Sequence, residues 1–161
     1  MKVAVLSDTH IPYAASQLPK KVCEVLEQAD AIIHAGDYAA ESVIDTLQSF
    51  ADFYGVRGNM DSTAIYNRVP AELIINLGGF AIGVMHGEGR PAGLEELVLA
   101  SFKSKSLDAI IYGHSHQAKN EMRDGVLLFN PGSPTDKRFA AFQSMGILTI
   151  EDTITGEILY F

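Results

Sequence analysis

The sequence predicts an α/β protein in which two β-sheets pack face to face and helices cover the outside. Three observations carry that reading. Short runs rich in Val, Ile and Phe alternate with helical periods over the first two-thirds of the chain, which is the signature of crossover units around a parallel sheet. After Tyr112 the helical periods stop, and strand-like segments separated by turn residues take over. At 161 residues and 47% apolar composition, the chain fits one domain, 1–161, with enough apolar mass to fill its core.

Taken in order, Lys2 to Leu6 opens as a strand. Val22, Val25, Leu26 and Ala29 then recur at helical spacing behind Pro19, a residue suited to a first helical turn. Ala31 to His34 is a second strand; Val43, Leu47, Phe50 and Ala51 mark a second helix, and Asp52 to Val56 a third strand. Leu73 to Leu77 and Phe80 to Met85 are strands, Leu94, Leu97, Val98 and Phe102 form a third helical stripe, and Ala109 to Tyr112 is a buried strand. Ala118 to Arg123, Val126 to Asn130, Gly146 to Glu151 and Glu157 to Phe161 read as antiparallel hairpins, with turns at "RDG", "NPGS" and "DTITG". The helical stripes are core positions, and Cys23 among them is a small buried hydrophobe.

Charge and composition remove several classes of function. A formal net charge of -8 supplies no basic field for a phosphate backbone, so strong nucleic-acid binding is not expected. One cysteine cannot form an internal disulfide, the N-terminus shows no signal region, and no apolar stretch approaches the ~20 residues of a membrane span. A cytoplasmic protein that does not enter membranes is expected. The apolar segment Ile158 to Phe161 can pair between subunits, so a homo-oligomer is possible.

The strands share one feature: each of five ends in a residue able to bind metal. Lys2 to Leu6 leads into Asp8 and His10, Ala31 to His34 into Asp37, Asp52 to Val56 into Asn59, Phe80 to Met85 into His86, and Ala109 to Tyr112 into His114 and His116. The carboxyl ends of parallel strands meet at one edge, where ligands bind. In an extended segment His114 and His116 face the same side. Four imidazoles, two carboxylates and an amide form a mixed N/O set suited to Mn, Fe, Zn, Ni or Co. Seven side chains exceed the needs of one ion, whereas two divalent ions ~3.5–4 Å apart that share a carboxylate use them all. Asp37, which comes alone, is the natural bridge.

The ordered motifs D-x-H, G-D, G-N-x-D, H-G and G-H-x-H resemble those of the calcineurin-like metallophosphoesterase superfamily, and in particular its small bacterial and archaeal phosphodiesterase branch. The resemblance runs from Lys2 past Phe129 to Ser133. It implies a four-layer αββα sandwich of two mixed sheets. It also implies one metal held by Asp8, His10 and His116, a second held by Asn59, His86 and His114, and Asp37 between them, with manganese the foremost candidate. A hydroxide on this dinuclear centre would attack a small phosphoester substrate, and Asn59 would also turn its amide toward the phosphate. Arg57 either clamps a phosphate oxygen or is an ordinary surface charge.

Two departures matter. Many relatives carry histidine where this chain has Met60, and methionine does no acid–base work. Losing a positioned acid costs ~10²–10⁴-fold in rate, which favours good leaving groups and diesters over monoesters. Asp61 then lacks a histidine to orient, and Glu88 stands where the small branch often has a second histidine. His34 inside its strand is read as a packing or hydrogen-bonding residue. Asn130 and Ser133 of "NPGS" can line the same edge. "GHSHQ" lacks the final glycine of a nucleophile elbow, "GEGRPAG" is a loop and not a dinucleotide fingerprint, and no G-K-[ST] loop occurs. The rival reading is a protein-interaction scaffold of the retromer-subunit type, or a phosphomonoesterase. The intact set of seven ligand positions opposes the scaffold.

Overall fold

The computed structural model describes residues 1–161. Its elements in chain order are β1 (Lys2–Leu6), α1 (Lys20–Leu26), β2 (Ala31–His34), α2 (Glu41–Gln48), β3 (Asp52–Gly55), α3 (Thr63–Tyr66), β4 (Glu72–Leu77), β5 (Phe80–Met85), α4 (Leu94–Ser101), β6 (Ala109–Ile111), β7 (Lys119–Arg123), β8 (Val126–Asn130), β9 (Ser144–Ile150) and β10 (Ile154–Tyr160). They build two mixed five-stranded sheets, ordered β10-β9-β1-β2-β3 and β4-β5-β6-β8-β7. β1, β2 and β3 run parallel in the first sheet, and β5, β6 and β8 in the second.

Period-two alternation assigns each strand residue to a layer. Val3 and Val5 of β1 and Ala31 and Ile33 of β2 point into a core shared with Ile82, Val84, Ala109, Ile111, Leu127 and Phe129 of the second sheet. Their neighbours Ala4, Leu6 and Ile32 point the other way, onto Val22 and Leu26 of α1, Ile44 and Leu47 of α2 and Ile65 of α3. On the far side Ile110, Tyr112 and Leu128 meet Leu94 and Val98 of α4 and Phe102 just past its end. The four layers are therefore helix, sheet, sheet, helix. Each fully buried Leu or Ile in them contributes about 1.5–3 kcal/mol.

The structure differs from the sequence reading in its connections. β4 and β5 form an antiparallel hairpin around Gly78 and Gly79, both at positive φ (59° and 92°), the turn that two-residue loops require. α3, four residues capped by the Ser62 side chain, is too short to leave a periodic signal. The hairpins β7–β8 and β9–β10 form, but "NPGS" is not the turn of a third. β8 lies parallel to β6, β9 lies antiparallel to β1 in the other sheet, and the intervening loop returns toward the tip of β1. The turn after β9 spans Glu151 to Thr153, so Ile154 to Gly156 of "DTITG" already belong to β10.

Candidate metal centre

All seven predicted ligands lie just beyond the carboxyl ends of parallel strands, Asp8 and His10 after β1, Asp37 after β2, Asn59 after β3, His86 after β5 and His114 and His116 after β6. Because both sheets present these ends to the same rim, residues more than a hundred positions apart touch. Asp8, His10, Asp37, His86 and His116 are buried, His114 is half-buried and Asn59 is exposed. Five of the seven have left-handed backbone: Asp8 (φ 55°), His10 (43°), Asp37 (62°), His114 (69°) and His116 (56°). That conformation costs a residue with a Cβ about 1–2 kcal/mol, and such strain concentrates at functional sites.

The donor atoms gather into two groups. In the first, His10 Nε2 lies 3.2 Å from His116 Nε2, and Asp8 Oδ1 lies 3.3 Å from His116 Nε2 and 3.8 Å from His10 Nε2. In the second, His86 Nε2 lies 3.3 Å from Asp37 Oδ2, 3.9 Å from Asp8 Oδ1 and 3.1 Å from Asn59 Oδ1, while His114 Nδ1 lies 3.0 Å from that same amide oxygen. Asp37 Oδ2 also lies 3.7 Å from His10 Nε2, so one carboxylate oxygen faces an imidazole of each group. Asp8 Oδ1 touches both groups as well. Each aspartate has committed its other oxygen: Asp37 Oδ1 accepts from the Met60 N–H at 2.7 Å, and Asp8 Oδ2 accepts from the His114 N–H at 3.0 Å.

A divalent cation fits this arrangement on two observations. Asp8 Oδ1 is a buried acceptor with no hydrogen-bond donor, and His116 Nδ1, on the side of its ring away from Asp8, faces the Asp136 carboxylate at 3.6 Å, too long for a hydrogen bond, which leaves Nε2 as the lone-pair side. The electrostatics agree. Burial opposes ionisation of Asp8, yet the His116 ring 3.3 Å away and the charge of His86 hold its carboxyl at about 2, and Asp37 is likewise held low by His86. Burial opposes protonation of His86, but Asp37 and Asp8 raise it to about 9, whereas burial pushes His10 down. The pocket is built to hold positive charge between two carboxylates.

Several residues outside this set fix it in place. His86 Nδ1 donates to the Ala35 carbonyl at 2.7 Å and His114 Nε2 to the Gly89 carbonyl at 2.8 Å, which leaves the other nitrogen of each ring as the lone-pair side. Asp61, whose role the sequence left open, accepts from the N–H groups of Asp37, Ala39 and Gly58. Gly58 sits so close that a Cβ there would be 2.1 Å from Asp37 Oδ1. Ser133 and Thr135 donate to the carbonyls of Asp8 and Thr9, and Asn130 donates to Gly113. Arg57 stacks on Tyr66, 4.6 Å from the ring centroid, and Glu88 is exposed. Only the positions after "GN" hinted at Asp61; "NPGS" after its strand placed Asn130 and Ser133 at this edge, and nothing local marked Thr135.

His34 is fully buried, with Nδ1 accepting from Gly36 N–H and Nε2 near Thr9 Oγ1 at 3.2 Å. Burial drives its pKa from 6.5 down to about 3. The unfolded chain therefore takes up a proton below 6.5 that the folded one refuses, and the stability this residue supports is lost as pH falls toward 3. The loss is about 1.4 kcal/mol per pH unit. In metal-free protein the stability gap between wild type and His34→Gln should narrow between about pH 7 and about pH 5 in denaturant titrations. A gap independent of pH would refute the neutral, buried imidazole.

With this geometry in view, the comparisons with known proteins are specific. A profile described as a calcineurin-like phosphoesterase superfamily domain matches residues 1–153. A probable metallophosphoesterase of Methanocaldococcus jannaschii is 34% identical over 160 residues, covering 99% of this chain and 81% of the relative. A solved structure described as a novel archaeal phosphodiesterase superposes with a TM-score of 0.79 at 23% identity, covering 100% of both chains. Wild-type Vps29 from Entamoeba histolytica, solved with zinc, gives 0.80 at 23% identity over 99% of each chain. At such identities these two structures speak for the fold alone. No helix is long and apolar enough to cross a membrane.

Proposed function

Because the chain belongs to the calcineurin-like phosphoesterase superfamily, we propose that it is a metal-dependent phosphodiesterase built as one domain over residues 1–161 and working at a dinuclear centre in the cytoplasm. The observation that carries this reading is the meeting of two donor groups around the unpartnered Asp8 Oδ1. Asp8, His10 and His116 would hold one ion, Asn59, His86 and His114 the other, and Asp37 would face both, with manganese foremost. When bound, such ions supply an activated water and neutralise charge on phosphoryl oxygens.

The chain's own residues do the rest. Asn59, exposed at the tip of β3, keeps its oxygen toward His86 and His114 and leaves its amide N–H groups for a substrate oxygen. Arg57, two residues earlier, can offer its planar fork to another. Met60 gives its backbone N–H to Asp37 and has no side-chain proton for a leaving group. That favours diesters with stable leaving groups. Manganese-loaded protein should therefore hydrolyse an activated aryl diester with kcat/KM about tenfold or more above the matching monoester. A monoester preference would overturn the diester assignment, and metal binding with no turnover of either would turn the reading toward the scaffold class. The apolar strand end Ile158 to Phe161 makes a homo-oligomer part of the same proposal.

A further inference from the structure

His86 and His114 each give their second ring nitrogen to a backbone carbonyl, of Ala35 and Gly89, whereas His116 Nδ1 is buried without a hydrogen bond. A metal-binding histidine ordinarily donates that N–H to a partner, which fixes the ring and makes the opposite nitrogen the stronger ligand. What faces His116 Nδ1 is a carboxylate: Asp136 Oδ2, 3.6 Å away on a side chain 4% exposed. Phe139, three residues on, meets the imidazole edge to face with ring centroids 5.4 Å apart, and Asp8 Oδ1 lies 3.3 Å from Nε2. The ring is thus held with Nδ1 aimed at Asp136.

The remaining gap has a chemical cause. Asp136 Oδ2 accepts from both Nε and Nη2 of Arg138, at 2.7 and 2.6 Å, and a carboxylate oxygen offers about two lone-pair sites. Both are taken. Oδ1 accepts the Arg138 N–H and the Asp136 N–H binds Ser133 Oγ, each at 2.9 Å, so the backbone of this turn is anchored without the guanidinium. The Arg138 side chain itself is 68% exposed.

We propose that Asp136 is the positioning residue of His116, and that Arg138, by filling Oδ2, sets how strongly it acts. The inference rests on the metal-binding reading of the centre and adds the control of one ligand. With the guanidinium in place the imidazole is aimed but receives no bond; without it, Oδ2 can accept the Nδ1–H and strengthen Nε2 toward a cation. The two residues therefore act on His116 in opposite directions. An ion pair that only held the loop together would act in one direction, both losses weakening the site.

The test titrates manganese, followed by electron paramagnetic resonance of the free ion, into the full chain as wild type, Asp136→Asn, Arg138→Met and the double variant. Asp136→Asn should weaken binding about tenfold or more. Arg138→Met should strengthen it about threefold, and the double variant should match Asp136→Asn. Ring-nitrogen NMR of metal-free, ¹⁵N-histidine-labelled protein gives a readout without any ion: a downfield Nδ1–H proton should appear in Arg138→Met and be missing from the double variant. Wild-type affinity in Asp136→Asn, or no gain in Arg138→Met, would overturn the proposal. So would a gain that persists in the double variant, since that reports only the removal of a positive charge. If the wild type binds no manganese, the phosphoesterase reading falls and the spectra alone decide, the downfield proton supporting the Asp136 contact and its absence refuting it.

Discussion

Asp37→Ala is expected to abolish turnover of activated diester and monoester alike, a loss of about 10³-fold or more. The reason is geometric. Asp37 Oδ2 faces His86 Nε2 at 3.3 Å and His10 Nε2 at 3.7 Å, one imidazole from each donor group, so its removal takes negative charge from both at once. Its other oxygen holds the Met60 N–H, and with it the peptide next to Asn59. Asp37 sits at φ 62°, where asparagine is better tolerated than alanine, although Ala39 shows that an alanine can be held there (φ 74°). Asp37→Asn is therefore the cleaner variant: it keeps the backbone and one oxygen, loses the charge, and should fold normally with turnover down to a comparable degree. Metal content by mass spectrometry and steady-state rates check both. Either variant retaining wild-type metal content and kcat would show that Asp37 does not join the two groups.

The strand tips were legible in the sequence because their chemistry is local. A run such as "AIIYGHSHQ" announces a buried strand, a turn and two imidazoles, and period two places the apolar residues in their layers. The extended geometry expected of His114 and His116 does not form, because the strand ends at Ile111 and both histidines have left-handed backbone (φ 69° and 56°). The supports were only partly legible: the strand before "NPGS" put Asn130 and Ser133 at this edge, but the bonds that they and Thr135 make join distant segments. Ser133 reaches the Asp8 carbonyl across 125 positions, and Thr135 reaches that of Thr9 across 126. For the same reason "NPGS" read as a hairpin turn: its composition is that of a turn, and only the destination of Ser133 and Thr135 at the β1 tip explains why β8 and β9 part into different sheets. The left-handed backbone of five candidate ligands was equally hidden, since Asp and His, though enriched there several-fold, still adopt that region only rarely. It is sustained by the surroundings, as when the N–H of Asp8 binds the Gly36 carbonyl at 2.9 Å and that of His10 binds the Asp37 carbonyl at 3.0 Å.

Asp61 supplies the second large effect. A carboxylate in the G-N-x-D motif without a histidine to orient has the air of a leftover, yet its oxygens collect three backbone N–H groups, Gly58 at 2.7 Å, Ala39 at 3.0 Å and Asp37 at 3.1 Å. It thereby ties the loop after β2 to the loop after β3, the two that carry Asp37 and Asn59. Burial raises its carboxyl pKa, which these donors counter. In Asp61→Ala the three groups lose their acceptor in a site only 9% exposed. At about 1–3 kcal/mol for each unsatisfied group the loss is at least about 3 kcal/mol. For a chain of this length that lowers the thermal midpoint by roughly 10 °C. Metal affinity and turnover should fall together, about 10–100-fold, because the ligands lose their register while remaining present. Asp61→Asn keeps one acceptor oxygen and should lie between the two, which preserves the test if the alanine variant does not fold. A thermal midpoint and metal affinity unchanged in both would mean that the loops are held together by Gly58 packing on Asp37, and that Asp61 is dispensable.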